Sequence, residues 1–191
     1  MRICKIGEEI LSRQCEPVKP EEIDDSFRAI LNEMFDTMIS ANGVGLAAPQ
    51  VGIAKRFFVL MSDDDVKRVF INPEITKTSA ETAAYEEGCL SIPGESESIV
   101  RPVKVSVTAL NENGKRFTIE DADGLLARII QHENDHLNGV LYIDRGDKDF
   151  KESIIEKFKK KAEKAAKKAA EKAAKKASLE AKLAAKKHKG N

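Results

Sequence analysis

Two histidines four residues apart, with a glutamate beside the first, are where chemistry is most legible in this chain: Gln131-His132-Glu133-Asn134-Asp135-His136. On a helix, residues i and i+4 share one face about one turn apart, a spacing that lets a single metal ion accept both imidazoles. Glu133 then sits beside the first ligand without being one, placed to take a proton from a water that the metal activates. Such a pair also occurs as ordinary surface residues on charged helices. Against that, the chain has three histidines and the third, His188, lies near the end of a tail, so the other two both fall in this one pattern.

A catalytic site of this kind needs a third protein ligand and an open coordination position. The sequence continues HENDHLNGVLY. Gly139 stands where the pattern HExxHxxGxxH has its glycine, but Tyr142 stands where that pattern has its third histidine. The downstream acids fall in or near a basic tail. Upstream, Cys89 in Glu87-Gly88-Cys89-Leu90-Ser91 offers a thiolate, a strong ligand for zinc or iron, and Gly88 gives the backbone freedom there. Cys4 and Cys15 stand in less distinctive settings, and three cysteines form no disulfide framework. A second unusual segment is GVGLAAPQVG, Gly43 to Gly52. Its three glycines and one proline exclude a regular helix, yet the rest is mostly apolar. It reads either as backbone brought close to a ligand or as a tight turn under the core.

The elements that must position these residues are also patterned. Phe27, Ile30, Leu31, Met34, Met38 and Ile39 recur at helical spacing, predicting a helix over 24–42 with Asp24 or Asp25 capping its start and Gly43 past its end. A second helix is predicted from about Asp123 to Asn138, with Leu125, Leu126, Ile129 and Ile130 on its apolar face and Gly139 at its end. Strands are predicted at 57–61 and 69–75. Alternation through Val103, Val105, Val107 and Ala109, a turn at 111–114 and a return over 115–120 predict an antiparallel hairpin. Strands and helices without regular alternation imply an α+β fold rather than a doubly wound sheet; we expect antiparallel β-sheets packed around a central HExxH helix, plus an extended C-terminal helix.

Charge divides the chain. From Lys151 onward there are 15 lysines and 5 glutamates, against 17 basic and 27 acidic residues before it, so a net of +10 is joined to a net of −10. The overall balance of 32 basic and 32 acidic side chains hides this split. The tail is low-complexity Ala, Lys and Glu, good helix formers, with AEKAAKKA twice in succession at 162–169 and 170–177. We expect a catalytic domain over 1–148 and a basic helical tail over 149–191. A Lys-rich tail reads either as a solvated helix or as an electrostatic attachment to RNA. No run approaches the ~18 apolar residues of a membrane span. The N-terminal MRICKIGEEI has neither the apolar core of a secretory signal nor the character of a transit peptide, which leads us to expect a cytoplasmic protein.

Taken together, GVGLAAPQVG, EGCLSIP and QHENDHLNG resemble the three signature motifs of the peptide deformylases, in order and spacing, over residues 1–145. The resemblance implies that Cys89, His132 and His136 are metal ligands and that Glu133 is the general base and acid. It implies that the Gln50 amide and the Leu90 N–H stabilise an oxyanion. It implies substrate contacts at Val44, Gly45 and Gly88, and a methionine pocket lined by Leu125, Arg128 and Ile129. Arg128 departs from the apolar residue expected there, which bears on the outer rim of that pocket, though an Arg stem can pack and leave its head in water. Glu87 and Arg101 resemble a supporting ion pair. The implied cofactor is one divalent ion, Fe(2+) first, with Zn(2+), Ni(2+) or Co(2+) as substitutes. The implied substrates are nascent N-formyl-methionyl polypeptides, cleaved to formate and a free amine by a monomer. Some deformylases dock a C-terminal helix on the ribosome, which makes ribosomal RNA a partner to consider for this tail. Two other readings compete with this one: a zinc peptidase cutting internal bonds, and a non-catalytic RNA-associated protein with a structural metal. The upstream cysteine speaks against the first; Glu133 and Gln50, which a closed structural site does not need, speak against the second.

Overall fold

The computed structural model describes the backbone of residues 1–188 and the side chains of residues 1–175. Lys189 at the end of the tail, and the side chains of His188 and of the last two residues of the second AEKAAKKA copy, lie outside what is described. In chain order the main elements are α1 (Asp25–Ser40), β1 (Gly45–Ala47), β2 (Phe57–Met61), β3 (Lys67–Thr78), β4 (Thr82–Cys89), β5 (Ile92–Pro102), β6 (Val105–Leu110), β7 (Arg116–Ala122), α2 (Gly124–Leu137) and α3 (Lys148–His188). The chain divides into two compact units, residues 1–151 and the residues from Glu152 onward.

In the first unit, β1, β2, β3, β6 and β7 form a five-stranded antiparallel sheet in the order β1-β2-β3-β6-β7, while β4 and β5 form a separate antiparallel ribbon. Strand β2 is apolar at every position because both faces of the sheet are covered. Phe58 and Leu60 point into a core shared with Phe70, Val107 and Ile130 of α2. Phe57 and Val59 alternate to the other face, against Leu31, Met34 and Met38 of α1. Each fully buried side chain of this size contributes roughly 1.5–3 kcal/mol relative to exposure.

Asp24 caps α1 as predicted, its carboxylate accepting from the Phe27 N–H at 2.8 Å. The end of α1 differs from the expectation. The left-handed residue is Asn42, at φ 55°, and not Gly43. Asparagine tolerates that conformation, so the glycine is free to serve another need: a Cβ on Gly43 would lie 2.7 Å from the Leu90 side chain. The hairpin of β6 and β7 forms as the alternation predicts. The ribbon of β4 and β5 carries no such pattern and was not expected.

Helix α2 lies between the sheet and the ribbon. Ala127, Ile129, Ile130 and Leu137 pack on the sheet, while Arg128 and His132 bond to β4 and β5. After α2 the chain turns at Gly139, which has φ 71°, and a Cβ there would meet the Ser12 carbonyl oxygen at 2.6 Å. Gly139→Ala is therefore expected to destabilise the protein by about 1–3 kcal/mol from the left-handed backbone alone. Urea unfolding of the variant checks this; a midpoint equal to wild type would refute it.

The second unit is described by the helical course of α3, whose side chains from 159 to 175 are all exposed. Glu156 and Lys160 pair across one helical turn at 2.6 Å. No described helix is long and apolar enough to cross a membrane.

Candidate active site and metal centre

Helix α2 sets His132 and His136 with ring centroids 5.1 Å apart. Cys89, at the end of β4, brings its Sγ to 3.3 Å from His136 Nε2. One donor atom from each of the three residues lies within 4.8 Å of the others. On a tetrahedral ion with bonds of ~2.0–2.3 Å, two donors stand about 3.5 Å apart, so this set fits a metal. His132 Nδ1 bonds Glu87 Oε2 at 2.9 Å, which leaves Nε2 to face the other two donors. Burial works against a thiolate at Cys89, but the neighbouring His136 and His132 outweigh it and hold the thiol well below its usual range. Burial likewise disfavours a charged His132, and Cys89 and Glu87 outweigh it, raising that imidazole.

Glu133 is 4% exposed, and its Oε2 has no hydrogen-bond partner among the described residues. Burial, only partly offset by the two histidines, pushes its carboxyl up to about 7. A Cβ on Gly45 would fall 2.3 Å from Glu133 Oε1, so only glycine lets β1 lie against this carboxylate. The loop reading of the Gly43–Gly52 segment as close-approach backbone thus describes it better than a simple turn. Gln50, in the helical turn Ala48–Val51, accepts the Ala47 N–H on Oε1 at 2.8 Å. That bond turns its NH2 group toward Ser91 Oγ at 3.2 Å and Cys89 Sγ at 3.4 Å.

A cleft of about 670 Å³ unites the expected site residues. Cys89, His132, Glu133, Gln50 and Leu90 line it, as do Val44, Gly45, Gly88, Leu125, Arg128 and Ile129. His136 is buried and is not among its lining residues. Gly88 sits at the register shift between β4 and β5, where a Cβ would meet only an ordinary contact. Arg128 departs from expectation: its head is not in water but bonds Glu87 and two backbone carbonyls. Tyr142, at the position of the missing third histidine, is buried and stacks on His132 at 6.1 Å, with its hydroxyl donating to the Glu95 carbonyl. It packs and does not ligate. Cys4 and Cys15 are buried away from the donor set.

Glu87 and Arg101 form the expected pair, at 2.6 and 2.9 Å, both nearly fully buried. Sequence reasoning missed what extends it. Arg101 also donates to Asp135 at 2.7 Å, and Arg145 donates to both oxygens of Asp135. The signal available was an acid beside His136 on the inward side of α2. Lys5 was also missed; its ammonium donates to the Leu90 carbonyl at 2.7 Å.

An antiparallel α+β fold that carries a Cys-His-His donor set beside a buried carboxylate, in a cleft, is an arrangement of the class that metal-dependent hydrolases use. The particular family follows from comparison. The family described as polypeptide deformylase matches residues 1–152. A peptide deformylase of Treponema pallidum is 49% identical over 158 residues, covering 83% of this chain and 95% of that protein. One from Clostridium botulinum is 51% identical over 146 residues, covering 76% and 96%. The crystal structure of the Ehrlichia chaffeensis peptide deformylase in complex with actinonin superimposes with a TM-score of 0.79 at 38% identity, covering 84% of this chain and 96% of that one. This chain belongs to the polypeptide deformylase family and is an enzyme of that type.

Burial acts to raise the Glu87 carboxyl, but His132 and Arg101 more than reverse it and hold it at about 2. A carboxyl depressed on folding contributes stability that is fully present above its ordinary value of ~4.3 and is lost as pH falls toward 2. In metal-free protein, Glu87→Gln should lower stability at pH 6 by about 3–5 kcal/mol, the cost of breaking a buried pair. It should also flatten the slope between roughly pH 2 and 4.5. Urea unfolding across that range measures both; a curve parallel to wild type contradicts the assignment.

Proposed function

We propose that this enzyme removes the formyl group from the N-terminal formyl-methionine of newly synthesised polypeptides, releasing formate, through a catalytic domain spanning 1–148. The observation that carries the reading is the buried Glu133 carboxylate, held by Gly45 beside the Cys89–His132–His136 donors in a cleft that the Gln50 amide also faces. Cys89, His132 and His136 would hold one divalent ion; the thiolate suits Fe(2+), our first choice, and serves Zn(2+), Ni(2+) or Co(2+) as well. When bound, the ion supplies a Lewis acid and lowers the pKa of water.

Leu125, Ile129 and Val44 offer apolar wall to a methionine side chain, and the extended backbone at Gly45 offers hydrogen bonds to a peptide. Water adds to the formyl carbon as Glu133 accepts its proton. The charge that develops on the formyl oxygen meets the Gln50 NH2 and the Leu90 N–H, each such donor stabilising the transition state by about 3 kcal/mol. The C–N bond then breaks and Glu133 returns the proton to the departing amine. In this reading the enzyme acts as a monomer.

Glu133→Ala tests the assignment. The variant should bind one equivalent of metal and lose at least about 10²-fold in formate release from formyl-Met peptides, the scale of general acid–base catalysis. Near-wild-type turnover would refute it.

The tail, residues 149–191, serves in this reading as an electrostatic tether to ribosomal RNA, in keeping with a cytoplasmic protein. Residues 159–175 are all exposed and include eight lysines and two glutamates. Replacing Lys164, Lys167, Lys168 and Lys172 with Gln in the full chain should leave small-peptide turnover unchanged. Ribosome binding in sedimentation should weaken and lose salt dependence, since each phosphate contact adds to the salt slope. Unaltered, salt-sensitive binding would exclude the tether.

A further inference from the structure

We propose that Arg128 is a positioning residue, acting through Glu87 to fix the ring of His132 and so the tightness of the metal centre. The inference goes beyond the reaction proposed above and rests on its reading of His132 as a metal ligand. Arg128 lies on α2 one turn before His132, and its side chain is 12% exposed although it borders the cleft. Nη1 donates to Glu87 Oε1 and to the Ile99 carbonyl, both at 2.9 Å, and Nη2 donates to the Ala83 carbonyl at 3.0 Å. The guanidinium also lies over the Tyr85 ring, 5.7 Å from its centroid. One side chain thus ties α2 to both β4 and β5.

Its effect on Glu87 follows from counting donors. A carboxylate offers about four lone-pair sites. Glu87 Oε1 accepts from Arg101 Nε and Arg128, and Oε2 accepts from Arg101 Nη2 and His132 Nδ1. The group is saturated, so any rotation that frees His132 must also break bonds to two arginines. With Arg128 removed, Oε1 keeps one donor and the carboxylate can rock about the Arg101 fork. The same contacts begin an alternating series, Arg128–Glu87–Arg101–Asp135–Arg145, which includes the residue one turn before His132 and the residue before His136. Lysine cannot replace the planar fork, because its single ammonium cannot reach a carboxylate and two carbonyls on separate strands with the same geometry.

The test uses full-length protein loaded with Co(2+), whose bond to the Cys89 thiolate gives an absorption band that reports occupancy. Arg128→Met should release cobalt to excess chelator about tenfold faster than wild type, the lower end of effects seen when supports of metal ligands are removed. Its visible cobalt bands should shift. Arg128→Lys should fall between the two and carries the test if the Met variant does not fold. For the formyl-Met substrate, kcat at saturating metal should fall more than KM rises. Release rates within twofold of wild type, with unfolding temperatures lowered equally in metal-free and loaded protein, would make Arg128 a strap only and overturn the proposal. A raised KM with unchanged release would make it a substrate contact, which also overturns it. If wild type takes up no cobalt, or His132→Ala keeps it, the metal-ligand reading itself falls and takes this proposal with it.

Discussion

A carboxylate buried where three elements meet is the constraint around which this structure is arranged. Taking Glu87 out of water costs several kcal/mol, and only partners with good geometry offset that. Arg101 comes from β5, His132 and Arg128 from α2, and Glu87 itself from β4. The ribbon and the helix are therefore held at one spacing, because any other leaves an unpaired charge in the interior. Cys89 is two residues further along the same strand, and its Sγ meets His136 as Glu87 meets His132. The strand period and the helical turn are brought into register by that one anion. The thiolate inherits its position from an interaction in which it takes no part.

The other half of the cleft is arranged by close approach rather than by charge. Because Gly45 has no side chain, β1 can press on Glu133, and α2 and the sheet together remove that carboxylate from water. Gln50 is fixed at its carbonyl end by the Ala47 N–H, so its amide hydrogens face the donor set without having to reorient. Donors fixed in advance are the ones worth most where charge develops, since they cost no reorganisation at that moment.

What the sequence made legible follows from which features repeat at a fixed spacing. The 3.6-residue period exposed α1 and α2, and the i, i+4 histidines exposed the metal pair, because local geometry alone carries that information. The hairpin of β6 and β7 was legible because one of its faces is buried. The ribbon was not: residues 82–86 of β4 are all exposed, so no apolar alternation marks it. The place of Arg128 was misjudged for a related reason. Its partners, Ala83 and Ile99, are backbone carbonyls 45 and 29 residues away, and a carbonyl has no letter in the sequence. Asp135 and Arg145 escaped notice because their pairing depends on Arg101 crossing from β5, a contact set by the tertiary fold. Asn42 took the left-handed turn expected of Gly43 because asparagine also tolerates that conformation, so the two neighbouring positions could not be told apart.

The neutral net charge of the whole chain describes neither of its units. Screening confines the reach of a charge to about 10 Å at 0.1 M salt. A partner that meets the lysines of residues 159–175 therefore responds to the charge within that distance and not to the sum over 191 residues. The acidic first unit can hold its own balance around the donor set, where the buried anions Glu87 and Asp135 are matched by three arginines. The tail has no histidine or cysteine among its side chains up to 175, and the donor set draws on no residue beyond His136.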